Sequence, residues 1–223
     1  MESCMELKMK HISHKLIDSL SDGVFSIALT LLGLNVVALV PDISHSKNVN
    51  SAILNHWPTF LSYLLGFVVL FSMWYQYHAM SQYVVGTNAF LVWLHGVAMF
   101  WVALVPFGVA LLAENLNTPN KNWGIFYFGI CLFGNNWSWI IMCAFNKFKF
   151  PVTFTDDMPI PTDKVIKMTF ILYFAQAVTG IIFVVLSLSY PWAALAGYGV
   201  FILTNINPVK SMNKAMPFVL KYV

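Results

Sequence analysis

The chain has 223 residues, 59% of them hydrophobic and only 9% charged, with a formal net charge of +3. An ordinary soluble domain carries about 25% charged residues, so this composition excludes a water-facing globular surface. The small positive balance does not indicate a nucleic-acid partner either, because the lysines stand in short clusters between apolar runs and form no continuous basic face.

Six apolar runs follow one another, at 16–40, 59–85, 89–113, 123–145, 165–188 and 190–206. Each approaches or exceeds the roughly 17 residues that a spanning helix needs. The pattern predicts an all-α membrane protein with six transmembrane helices, in one domain over 1–206 followed by a cytoplasmic tail over 207–223. A polar stretch precedes Leu16 and no small-residue cleavage pattern follows the first run, so that run is expected to be a retained helix and not a signal peptide. Cys4, Cys131 and Cys143 suggest no disulfide framework.

The lysines fix an orientation. Lys8, Lys10 and Lys15 precede the first run, Lys147, Lys149, Lys164 and Lys167 flank the connection between the fourth and fifth, and Lys210, Lys214 and Lys221 follow the sixth. Only Lys47 and Lys121 fall on the other side. With six spans all three lysine-rich regions share one side, and the positive-inside rule places both termini in the cytoplasm. The segment 148–163 holds Pro151, Pro159 and Pro161 beside Asp156 and Asp157, and reads as the longest cytoplasmic loop.

The first run carries an acid about two turns inside its apolar boundary, in Ser21-Asp22-Gly23-Val24-Phe25-Ser26-Ile27-Ala28-Leu29-Thr30-Leu31-Leu32. A carboxylate in hydrocarbon costs about 2.5 to 3.5 kcal/mol at mid-bilayer on insertion scales, so Asp22 either faces protein or water or stays within reach of the interface. Gly23, Ile27, Leu31 and Leu34 fall on one helical stripe with Thr30 beside it. Spacing alone favours a lipid-facing or packing surface over a pore lining. Near the other end, Ala196-Gly197-Tyr198-Gly199 has the Gly-Tyr-Gly of a potassium filter. Too little apolar chain follows it for an inner helix, and small residues for helix packing are the better reading.

His95, Asn135, Asn136 and Gln176 are scattered over the third, fourth and fifth runs, where they serve either interhelical hydrogen bonds or a solute path. Neither His11 with His14 nor His78 with His95 has metal-ligand spacing, and no phosphate loop or Gly-x-Ser-x-Gly elbow occurs. No enzyme, cofactor or resident metal is expected.

Residues Lys15 to Val37, through Ser21-Asp22-Gly23-Val24-Phe25-Ser26, resemble the first helix of the transmembrane protein 175 family, the unconventional potassium channels of lysosomes and prokaryotes. Phe60-Leu61-Ser62-Tyr63-Leu64-Leu65-Gly66-Phe67, then Trp74 with His78, then Leu91-Val92-Trp93-Leu94 and Val105-Pro106-Phe107, resemble its second and third helices in order. The resemblance covers the first half of the chain. It departs from the family pattern at Leu16 and Leu20, which stand at the family's Arg and Phe positions, and at Tyr77-His78, which replaces a His-His pair. All twelve basic residues are lysine, so no arginine is present to take the missing role.

The resemblance implies a homotetramer in a lipid bilayer, with the first helix lining a central pore. It implies a pore constriction at Ile27, Leu31 and Leu34, a selectivity-linked pore hydroxyl at Thr30, and a network between the first three long helices at Ser21, Asp22, Trp74, His78 and Trp93. Asp22 either belongs to that network or attracts cations at the cytoplasmic mouth. The expected function is a potassium-conducting cation channel with modest preference for potassium over sodium, in a prokaryotic plasma membrane. The alternative is a small six-span secondary transporter using His78, His95 or Gln176 at a central site.

Overall fold

The computed structural model describes residues 12–81, 84–87, 89–148, 153–154 and 162–205. Strand β1 (Ile12–Ser13) runs directly into α1 (His14–Val37). Ala38 and Leu39 turn the chain into the short α2 (Val40–Ser44). Pro41 sits in the first turn of α2, where its missing N–H leaves no hydrogen bond unmade. Next comes α3 (Val49–Asn55), capped by the Asn48 side chain, which accepts the Ser51 N–H at 3.2 Å. The remaining elements are α4 (Trp57–Ser81), β2 (Val84–Thr87), α5 (Ala89–Asn115), α6 (Lys121–Phe148), β3 (Thr153–Phe154), α7 (Thr162–Ser189) and α8 (Pro191–Asn205).

Among the described residues five helices are long and apolar enough to cross a membrane, over 15–44, 57–79, 90–115, 121–144 and 166–189. The molecule is thus an all-helical membrane protein with five candidate spans. The sixth apolar run forms α8, which has 15 residues. At about 1.5 Å per residue it is about 22 Å long, shorter than a hydrocarbon core of about 30 Å. The second run also ends earlier as a helix than its hydropathy indicates, at Ser81, because Val84 to Thr87 pair into a sheet. The tail over 207–223 lies outside the described residues.

That sheet is small and entirely antiparallel, in the order β1-β2-β3, with Ile12 opposite Thr87 and Val84 opposite Phe154. It gathers the start of α1, the α4–α5 connection and the α6–α7 connection at one end of the bundle. At the other end the Asn122 side-chain amide donates to the Leu188 carbonyl at 2.8 Å, and the Lys121 ammonium lies 5.8 Å from the centre of the Trp192 ring. The α5–α6 and α7–α8 connections therefore share the second end, in agreement with the alternation that the lysines require.

Helix α1 buries Ile17, Ser21, Phe25, Ala28 and Leu32 against α4 and α5, a stripe with helical spacing. The core continues through Val69 and Leu70 of α4, Val102, Val105 and Val109 of α5, and Ile125 and Phe128 of α6. Helices α6 and α7 approach closely at Gly180, where a Cβ would run into the Phe133 ring, and α4 meets α5 at Gly66, where a Cβ would overlap Val109. Gly197, Tyr198 and Gly199 are helical, and Tyr198 is fully buried with its ring against Phe128, Phe133 and Phe183. Carbonyls engaged in a helix do not line an ion filter, so this Gly-Tyr-Gly is a packing element.

Candidate functional site

Two faces of α1 have opposite characters. The buried face holds Ser21, whose hydroxyl lies 2.8 Å from the Ile17 carbonyl and 2.7 Å from Nε2 of His95 on α5. Both Ser21 and His95 are buried, so each removes the other's need for water. Asp18, about one turn before Ser21, and Asp22, the residue after it, are two carboxylates that α4 engages separately. The Tyr77 hydroxyl donates to Asp18 Oδ1 at 2.8 Å, and the Trp74 indole N–H donates to Asp22 Oδ1 at 2.8 Å. Charge-assisted bonds of this kind are roughly twice as strong as neutral ones. They answer the cost of a carboxylate near the hydrocarbon boundary by giving it protein donors.

Aromatic rings stiffen these donors. Trp74 stacks on His78 with centroids 5.4 Å apart and 17° between planes, and Phe71 packs on its other side at 5.7 Å. Tyr77 packs against His95 at 5.0 Å and against Trp139 of α6 at 6.4 Å. Ser21, Asp22, Trp74 and His78 therefore come together in one place. Trp93 is 80% exposed, and no bond from it to these residues is found among the described contacts. Three members were not singled out for this cluster from the motif, namely Asp18, Tyr77 and His95. The sequence signal for Asp18 was its spacing of four from Asp22, which puts both carboxylates on one helix face.

The other face of α1 is bare. Ile27 is 64% exposed, Leu31 44% and Leu34 54%, and Leu16, Leu20 and Val37 continue the stripe. Among these apolar side chains lie exposed Gly23, Ser26 and Thr30. The Thr30 hydroxyl donates its hydrogen to the Ser26 carbonyl at 2.8 Å, which leaves the oxygen lone pairs directed away from its own helix. Nothing within 4 Å would meet a Cβ on Gly23. Among the described residues no group of three or more His, Cys, Asp or Glu side chains is placed to hold a metal ion.

Residues 17–106 match the family model described as the endosomal/lysosomal potassium channel TMEM175. Over these residues the chain is similar to the TMEM175 family. The matched segment contains most of α1, all of α4 and most of α5, the three helices that carry the tethers. A potassium channel of Chamaesiphon minutus is 38% identical over 104 residues, 46% of this chain and 51% of that one. A potassium channel of Streptomyces collinus is 35% identical over 100 residues, 45% of this chain and 48% of that one. The chain thus spans about half the length of these curated relatives. A crystal structure described as a lysosomal potassium-selective channel TMEM175 homolog from Chamaesiphon minutus has the same fold. Its TM-score is 0.71 at 22% identity, covering 89% of this chain and 97% of that one.

The TMEM175 description is of a channel and not of an enzyme. Against the family pattern, Leu16 and Leu20 both stand on the bare face of α1. The bonds from Tyr77, Trp74 and His95 hold α1 without an arginine anywhere in the chain.

Proposed function

We propose that this chain is one subunit of a homotetrameric, potassium-conducting cation channel in which α1 lines a central pore. The observation that carries this reading is the division of α1, tied down on one side by three hydrogen bonds and left uncovered on the other along Ile27, Thr30, Leu31 and Leu34. A helix fixed so firmly that still leaves apolar and hydroxyl-bearing residues bare fits a surface completed by symmetry copies of itself.

Four Ile27 side chains around an axis form the narrowest ring, with Leu31 and Leu34 one and two turns further along. Such rings exclude water, and hence ions, until the helices tilt or rotate apart. Thr30 offers acceptor oxygens to a partly dehydrated cation between the apolar rings. Side-chain hydroxyls do not replace a whole hydration shell, so the preference for potassium over sodium is modest. Ser21, Asp22, Trp74 and His78, joined by Asp18, Tyr77 and His95, hold the helix and do not contact the ion. The sixth apolar run, of which α8 is the described part and by itself shorter than the hydrocarbon core, is counted as a sixth span; this puts both termini in the cytoplasm, and the bacterial relatives support a prokaryotic plasma membrane. The transporter alternative loses support because His95 is engaged by Ser21 and the Gln176 amide donates to Asn205 at 2.9 Å.

Planar-bilayer recording of purified protein in potassium against sodium gradients tests the proposal, comparing wild type with Ile27→Asn and Leu31→Asn. Raised conductance or altered selectivity in the variants is expected. Silence from folded wild type and folded variants alike overturns it and turns attention to gradient-driven uptake.

A further inference from the structure

Away from the bare face of α1, residues of the six longer helices line a partly open pocket of about 40 Å³. Its polar wall consists of Ser72 and Gln76 of α4, Asn135 and Asn136 of α6, Gln176 of α7 and Asn205 of α8. Apolar and aromatic side chains make up the rest, including Met99 and Tyr77, and no charged side chain lines it. Asn135 and Asn136 are both more than nine-tenths buried. The Asn135 Oδ1 acceptor and the Asn136 Nδ2 donor have no hydrogen-bond partner among the described residues, although buried amides almost always find one.

An unmatched acceptor next to an unmatched donor selects its guest. A monovalent cation would satisfy the oxygen and be repelled by the amide N–H, and an anion would have the opposite conflict. The guest must donate and accept at once, and it must be neutral, because the wall holds no countercharge. A water molecule needs about 10–15 Å³ of such space and two to four polar partners, so this volume admits about three waters and little larger.

We propose that this chamber is an internal hydration site, holding two or three ordered waters bound by Asn135 and Asn136 and bridging α6 to α4, α7 and α8. The site is separate from the face assigned to the pore and does not depend on that assignment. It meets α1 directly at Phe25, and Tyr77 of its wall donates its hydroxyl hydrogen to Asp18 of α1. Water in the chamber therefore sits directly behind one of the three bonds that hold α1.

Radiolytic hydroxyl-radical footprinting of the full chain in lipid nanodiscs reads the site directly, because radicals form on bound water and oxidise the side chains beside it. Met99 lines the chamber and Met168 does not, yet both are buried. In buffer free of other small neutral solutes, Met99 is expected to oxidise several-fold faster than Met168. An Asn135→Leu/Asn136→Leu variant that remains monodisperse is expected to bring Met99 down to the Met168 rate. Equal slow oxidation of the two methionines in the unaltered protein overturns the proposal, whether or not the double variant folds. Fast Met99 oxidation that persists unchanged in a folded double variant overturns the assignment to the two asparagines.

Discussion

Helices α1 and α7 each present a long uncovered face, and the two faces differ in kind. Among the described residues the exposed side chains of α7 are Phe170, Ile171, Phe174, Ala175, Val178, Ile181, Ile182, Val185 and Leu188, apolar until Ser189 at its end, with the Thr179 hydroxyl beside them folded onto the Ala175 carbonyl at 2.8 Å. The bare face of α1 mixes Ile27, Leu31 and Leu34 with Gly23, Ser26 and Thr30. Their backs differ too. Helix α7 is seated by close approach, with Gly180 under the Phe133 ring, whereas α1 is held by directional hydrogen bonds from two other helices. Exposure alone does not separate a lipid-facing surface from a pore-facing one. On the proposed reading, polar residues retained among the apolar ones, together with a rigid mounting behind them, mark the pore-facing one.

The sharpest way to break this comparison is the same substitution on both faces. Ile27→Asn should raise conductance several-fold with little loss of stability. Ile182→Asn should leave single-channel conductance unchanged and lower stability by about 2 kcal/mol, the low end for placing an amide in an apolar medium without a partner. Bilayer recording and thermal unfolding in the same nanodiscs compare the two, and a conductance gain from Ile182→Asn would remove the distinction. The second contrast uses glycines. Gly180→Leu forces a side chain into Phe133 and should cost about 3 kcal/mol, at the upper end of ordinary overpacking. Gly23→Ala meets nothing within 4 Å and should gain up to about 1 kcal/mol of helix stability. Melting temperatures of the two variants check this.

Smaller effects test the mounting of α1. His95→Leu leaves the buried Ser21 hydroxyl without its interhelical partner and should lose about 1–3 kcal/mol. If the two side chains act as a pair, Ser21→Ala combined with His95→Leu should cost less than the sum of the single changes, as a thermodynamic cycle would reveal. Asp22→Asn keeps an oxygen to accept the Trp74 N–H and exchanges a charged acceptor for a neutral one. About 1 kcal/mol is expected there, read as a small shift in melting temperature.

Most of the helical frame was legible in the sequence because the thickness of a bilayer dictates the length of an apolar run, and that is a local property. The end of α4 was not, since Val84 and Val85 prolong the hydropathy while their structure depends on strands drawn from Ile12 and Thr153, far away in the chain. The same limit applies at the site. Helical spacing correctly grouped Ile27, Leu31 and Leu34 on one face but said nothing of what lies across from it. The motif drew attention to Ser21, Asp22, Trp74 and His78. The partners His95 and Tyr77 lie 74 and 59 positions from the residues they bond, and no periodicity within one helix encodes such a pairing. Trp93 illustrates the converse, being next in the motif and yet turned outward.

The three interhelical bonds described from Ser21, Asp18 and Asp22 lie within the first turns of α1 at the lysine-rich end, and the part that carries Ile27, Thr30, Leu31 and Leu34 is backed by apolar contacts of Phe25, Ala28 and Leu32. Hydrogen bonds fix direction, whereas apolar contact resists separation far more than sliding. Mechanically, α1 is a lever with its fulcrum at one foot. A small angular play at Asp18 and Asp22 becomes a larger sideways travel at Leu34, so the outermost ring should loosen first and the ring nearest the foot last.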